Sequence, residues 1–312
     1  MDLLDKKLLG ELMKNSRAPL TQLAKTLGAS REVITYRINK LKQDSVIVDF
    51  VTEINIEKLG FMAAAVFLNI KVTRQTEFTK FISDCPYISW VAEHCGIWNF
   101  GLSIVGKTNE EIDERFNQLY AKFKEDIIDH RFTLHRTSEF FYGKYFDSTH
   151  PVTMRVSSDK IKLDEKDKLI LKELSVNSRI DCVSLSEKIK LTAPAVNQRI
   201  KKLERAGIII KYSLFIDLTK LSIMQYSIFS INKNIDERDK LLSYLKQHPK
   251  VSFIAEYIGD PFIEFGVFVN NPYNLRGVIQ EIEESFPNNR VSEISLFQKE
   301  FISIGPPKCV FN

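Results

Sequence analysis

Apolar residues in the first sixty positions recur at helical spacing. Leu4, Leu8, Leu9 and Leu12 predict one amphipathic helix closed by Asn15 and Ser16, and Leu20, Leu23, Ala24 and Leu27 predict a second that stops at Gly28. Ser30 then offers an N-cap to a third helix whose Ile34, Ile38 and Leu41 share one face. The period changes at VIVDFVTEI, an apolar, β-branched stretch that predicts a two-stranded wing. Beyond it the pattern reads strand (AAAVFLNIKV), helix (TEFTKFISDC), strand (ISWVAEHC), strand (NFGLSIVG), helix (EEIDERFNQLYAKF), strand (IIDHRFTLH). That βαββαβ order predicts a ferredoxin-like antiparallel sheet with both helices on one face. Ala63 to Ile70 is apolar almost without interruption, so the other face needs a cover as well.

The chain repeats this plan. A shift of 162 positions sets LDKKLLGELMKNSR against KDKLILKELSVNSR and aligns Asp5 with Asp167, Asn15 with Asn177, Arg17 with Arg179, Arg37 with Arg199, Leu41 with Leu203 and Lys58 with Lys220. In the second copy Asp181 and Thr192 are the helix caps, Pro194 stands in the first turn of the third helix, and Val196, Ile200 and Leu203 point inward. The tight links LGAS and KLT between helices two and three mark a helix-turn-helix. WVAEHCGIWNFGLSIV answers FIAEYIGDPFIEFGVFV, and near the ends Glu139 and Phe140 align with Glu300 and Phe301. The fold class is therefore α+β, with two winged helix-turn-helix domains alternating with two ferredoxin-like βαββαβ domains. The boundaries are 1–60, 61–146, a polar linker at 147–162, 163–222 and 223–312. Each sheet would cover the bare face of the other.

Charge follows the same division. Residues 1–50 carry 9 basic and 6 acidic side chains and 155–212 carry 14 and 8, whereas 51–154 carry 11 and 14 and 213–312 carry 10 and 12. Positive charge thus collects on the two helix-turn-helix segments, as nucleic-acid binding requires. The chain has 312 residues, 44% apolar and 27% charged, an ordered globular composition. No apolar run approaches the roughly 18 residues of a membrane span, so a cytoplasmic protein without a membrane partner is expected. Cys85, Cys95, Cys182 and Cys309 are too scattered for a disulfide scaffold or a zinc knuckle.

Taken together, the NSR, LG and Ser30 signals, the RI.KL pattern of the third helix, the wing ending in Lys58, Leu59 and Gly60, and the glycine turn after strand two resemble the Lrp/AsnC family of leucine-responsive, feast/famine transcription regulators. The likeness covers both copies. It implies a DNA-binding head and an effector-binding, oligomerising domain, usually one of each per chain. This sequence departs in being doubled, in Ser45 where copy two keeps Gly207, in Ser222 where copy one keeps Gly60, and in extra residues at GDPFIEFG.

The partner expected is double-stranded DNA. Off the buried stripe of each third helix, Arg31, Thr35 and Tyr36, and Asn197 and Gln198, are the base-reading candidates. Arg37, Lys40, Arg199 and Lys202 are the phosphate candidates, because the family pattern carries a basic residue at each. For Arg37 and Arg199 a second role is open, pinning the helix to a carboxylate of helix one. The resemblance also implies a small-molecule effector such as an amino acid near Glu93, Gly96, Trp98 and Asn99, and near Glu256, Gly259 and Asp260. Each chain would be an intrachain pseudo-dimer, with further homo-oligomerisation open.

An enzyme is the rival class, since siroheme decarboxylases resemble the same family. His94, His130, His135, His150 and His248 form no metal-binding spacing, and no phosphate loop or nucleophile elbow occurs. The reading is accordingly a non-enzyme without cofactor or metal. A module that assembles without DNA is the third possibility.

Overall fold

The computed structural model describes residues 1–146, 152–155, 160–232, 234–258, 262–302 and 306–311. The first copy runs α1 (Leu3–Lys14), α2 (Leu20–Leu27), α3 (Arg31–Gln43), β1 (Ile47–Ile54), β2 (Met62–Ile70), α4 (Gln75–Asp84), β3 (Ile88–Cys95), β4 (Phe100–Gly106), α5 (Asn109–Phe123) and β5 (Ile127–Phe140). After β6 (Val152–Arg155) the second copy follows: α6 (Glu165–Val176), α7 (Cys182–Ile189), α8 (Ala193–Arg205), β7 (Ile209–Ile216), β8 (Met224–Asn232), α9 (Ile235–Gln247), β9 (Val251–Tyr257), β10 (Phe262–Val269), α10 (Pro272–Ser285) and β11 (Asn289–Ile302).

Local chemistry sets the helix limits. Ser30 and Thr192 accept hydrogen bonds from Val33 and Ala195 at the starts of α3 and α8, and Asp181 caps α7 through two backbone amides. The chain turns left-handed at three repeat-related places, and each time one copy has glycine and the other does not. The pairs are Gly28 and Lys190 (φ 62° and 57°), Gly207 and Ser45 (65° and 56°), and Gly60 and Ser222 (85° and 56°). The two serines stand where the missing family glycines were expected; Lys190 shows the same strain.

The wing differs from its sequence expectation. Each head has one strand instead of a two-stranded hairpin, and β1 pairs antiparallel with β7 of the other copy. The register centres on Val51 opposite Ser213, themselves repeat-equivalents, so a pseudo-two-fold axis passes through the ribbon. VIVDFVTEI is too short to fold back on itself, and its backbone donors need a partner. The strands also exchange cores: Leu214 and Ile216 pack into the first head and Ile54 into the second.

The remaining strands follow the hydrogen-bonded order β2-β4-β3-β11-β8-β10-β9-β5-β6, with β5 also paired to β2. This makes a closed circuit of two facing ferredoxin-like sheets, to which β6 adds an edge. Along β2, Ala64, Val66, Leu68 and Ile70 meet the outer helices α4 and α5, while Ala65 and Phe67 meet the other sheet. Both faces are buried, which explains the uninterrupted apolar run. Phe67 packs edge-on against its repeat-equivalent Phe229 with centroids 4.9 Å apart.

Three expectations need revising. β5 and β11 run past the expected strand ends because their second halves pair with β9 and β3 of the other copy. Ser138 and Glu300 lie opposite Ala255 and Ala92, which makes these two the structural equivalents and moves the alignment of Glu139 with Glu300 by one residue. Finally, four residues of the expected linker, Val152–Arg155, form β6 against β5; 147–151 and 156–159 lie outside the described residues.

Two measurements follow. Ser45→Gly and Ser222→Gly each relieve a left-handed serine, a gain of up to about 1 kcal/mol in urea unfolding after the extra unfolded-state entropy of glycine is subtracted. Burial also pushes the carboxyls of Glu53, Glu57 and Glu300 up to about 7. The native state then holds protons that the unfolded chain, titrating at ~4.3, has released. These groups therefore make stability fall as pH rises from about 5 to 8, and Glu53→Gln should recover on the order of 1 kcal/mol at pH 8 and less at pH 5.

Candidate nucleic-acid interface

Each recognition helix is clamped to its head from the polar side. Arg37 on α3 donates to Asp2 and to Asp5, both at 2.7 Å, and Asp2 is itself the N-cap of α1, in a reciprocal capping box with Asp5. Arg199 on α8 repeats the arrangement on Asp164 and Asp167, again at 2.7 Å. The backbone amide of Asp5 and then the Arg37 guanidinium hold the Asp2 carboxyl below its usual range, and Asp167 and Arg199 do the same for Asp164. Of the two roles open for these arginines, the geometry supports the pin.

The other candidates divide by exposure. Arg31, Tyr36 and Lys40 on α3, and Asn197, Gln198 and Lys202 on α8, are exposed, with Tyr36 65% accessible. Thr35 is half-buried; its hydroxyl donates to the Arg31 carbonyl at 2.8 Å, and it lines a cleft of about 250 Å³ with Asn39, Lys42 and, from the second head, Asn177 and Arg179. Its hydroxyl proton is thereby committed within the helix. Val33, absent from the sequence candidates, is exposed at the leading end of α3, suited to a thymine methyl. Its signal was an apolar residue one position off the buried stripe.

Between the heads the contacts are reciprocal. The hydroxyls of Ser16 and Ser178 lie 2.7 Å apart, both buried, and the amides of Ser16 and Ser178 donate to the carbonyls of Tyr212 and Phe50. Arg17 donates to the carbonyls of Ser178 and Ile180 and lies over the Tyr212 ring. Arg179 donates to the Ser16 carbonyl and lies over the Phe50 ring. Buried polar groups satisfied this way fix one arrangement of the heads.

The effector candidates meet partners within the fold. Trp98 is buried between the sheets and its Nε1 donates to Glu293, which also forms a two-point pair with Arg131. The Asn99 amide accepts from the Ile70 backbone amide and donates to the Ile70 carbonyl. Glu93 accepts from Thr79, Glu256 pairs with Arg238, and a Cβ on Gly96 would come within 2.5 Å of the Ser295 hydroxyl. Gly259 and Asp260 lie outside the described residues. His94 is buried with neither ring nitrogen bonded within the described residues, and neighbouring Cys95 is exposed on the opposite face.

Residues 1–42 match the AsnC-type helix-turn-helix domain family and residues 163–210 a winged helix-turn-helix DNA-binding family. The chain is similar to the HTH-type transcriptional regulator LrpC of Bacillus subtilis, 33% identical over 99 residues, which are 32% of this chain and 69% of LrpC. It is likewise similar to the regulator FL11 of Pyrococcus horikoshii, 31% identical over 36% of this chain and 76% of that protein. Over its whole length the fold matches the crystal structure of the siroheme decarboxylase NirDL, with a TM-score of 0.65 at 12% identity, covering 98% of this chain and 94% of the other. That likeness concerns the fold. No helix among the described residues is long and apolar enough to cross a membrane.

The clamp and the exposed cations separate by experiment. Arg37→Ala should lower the melting temperature, because it frees two carboxylates beside the α1 cap, whereas Lys40→Ala should leave it unchanged. Thermal melts of both variants by circular dichroism decide.

Proposed function

Because the chain belongs to the Lrp/AsnC family and is a DNA-binding transcription regulator, we propose that its two heads read two different half-sites of one asymmetric operator. The observation that carries this is a contrast between equivalent positions. Those that clamp and join the heads are the same in both copies: Arg37 and Arg199, Arg17 and Arg179, Ser16 and Ser178. Outward positions toward the leading end differ, Arg31 against Ala193, Tyr36 against Gln198, and Val33 against Ala195, while the exposed Lys40 and Lys202 are shared.

In this reading α3 and α8 enter successive major grooves, with Arg31, Val33 and Tyr36 on one half-site and Asn197 and Gln198 on the other. Lys40 and Lys202 meet phosphates, and Arg37 and Arg199 act by holding each helix in place. Covalent linkage delivers the second head at high effective concentration once the first is bound. The homologues named as transcriptional regulators support a regulator over a catalyst. Effector control through the strand-turn residues belongs to the same reading, acting by loosening the bonds of Trp98 or Asn99.

A binding selection from random duplexes should return sites whose halves differ; recovery of symmetric sites alone would refute the proposal. Tyr36→Ala should change base preference in one half-site and Gln198→Ala in the other, each by about 1–3 kcal/mol. Lys40→Ala should weaken binding to all sequences alike and reduce the slope of log affinity against log salt by about 1.

A further inference from the structure

Between the two facing sheets lies a cavity of about 110 Å³ that the DNA reading does not use. Its walls are largely aromatic: Phe67, Trp90, Phe140, Phe253, Tyr257 and Phe297. Among hydroxyls from Ser89, Ser103, Thr137 and Ser138 it carries two acids, Glu57 and Glu264. Glu264 is buried, accepting at 2.5 Å from the Ser227 hydroxyl and also from the Tyr257 hydroxyl, which leaves lone pairs on both oxygens. Glu57 contributes a buried Oε2 with no hydrogen-bond partner within the described residues. His135 accepts or donates at Ser138, and burial holds its imidazole down to about 4, so it brings no charge at neutral pH. Arg136, the cation of the lining, is exposed.

We propose that this cavity binds one small aromatic amine, its ring among the aromatic walls and its ammonium group on Glu264 and Glu57. Two carboxyls set among ring faces offset the loss of water around a cation, through ion pairing and cation–π attraction. An anionic ligand would meet those carboxyls with no buried cation among the described lining residues to receive it, Arg131 beside Glu264 being paired with Glu293, and a zwitterion would bury an unmatched carboxylate.

The site is single because the copies have diverged there. The repeat-equivalents of Glu57, Glu264 and His135 are Thr219, Gly101 and Phe297, so the pseudo-symmetric position lacks both acids. One wall is formed by Ile54, Ile56 and Glu57, in the stretch that leads from the ribbon strand β1 toward β2. The inference concerns binding and is independent of the DNA reading.

Three probes with the same ring and different charge test it on the full chain: 2-phenylethylamine, phenylalanine and phenylacetate, followed by tryptophan fluorescence and calorimetry. The amine should bind at one per chain, at least about tenfold tighter than phenylalanine, with no saturable binding of phenylacetate. Glu264→Gln and Glu57→Gln should each weaken the amine by about tenfold. If the Glu264 variant loses its far-ultraviolet circular dichroism, Glu57→Gln carries that arm. Equal affinity for the three probes, preference for phenylacetate, no saturable amine binding, or unchanged affinity in Glu57→Gln would each overturn the proposal.

Discussion

Unpaired strand edges govern this architecture. A single β1 or β7, and the outer edges at β3 and β9, would leave rows of amides and carbonyls without partners, and the other copy supplies all of them. β1 closes on β7, the end of β11 on β3, and the end of β5 on β9. Because these pairings run between copies, the heads and sheets form one interlocked body, and neither copy's core is complete alone.

The pseudo-two-fold axis can be traced through pairs of residues 162 apart that touch. Ser16 meets Ser178, Val51 faces Ser213 and Phe67 packs on Phe229. Arg131 and Glu293 complete the series, but here the two copies carry opposite charges. Two identical copies would place like charges at this point, a costly arrangement between sheets. The complementary pair therefore favours the association of copy one with copy two, the pairing that an asymmetric reader of DNA requires.

The same division of labour recurs elsewhere. Left-handed turns are kept in both copies although glycine has been lost from one member of each pair, so backbone geometry outlasts the residue best suited to it. The arginines and serines that clamp and join the heads are the same in both copies, whereas Arg31, Val33 and Tyr36 of α3 and the acids of the central cavity have different residues at their equivalents. The cavity wall at Ile54, Ile56 and Glu57 places an occupant against the stretch that joins a DNA-binding head to its sheet.

Much of this was legible along the chain, because it depends on local periodicity. The helix caps at Ser30, Asp181 and Thr192, the buried stripes of α3 and α8, the βαββαβ order and the covered second face of β2 all rest on neighbours a few residues apart. What the fold alone decided depends on partners from about 30 to 210 residues away, to which local pattern is blind. The wing became an intercopy ribbon since a lone strand needs a distant edge, and β5 and β11 outran their expected ends for the same reason. For Arg37 and Arg199 the sequence leaves two roles open, phosphate contact or a pin to helix one, and the folded chain brings the cap carboxylates of the first helix against them. Trp98 and Asn99, read as ligand contacts, are bonded within the sheets, and the acidic aromatic cavity is assembled from both copies, whose residues no linear spacing brings together.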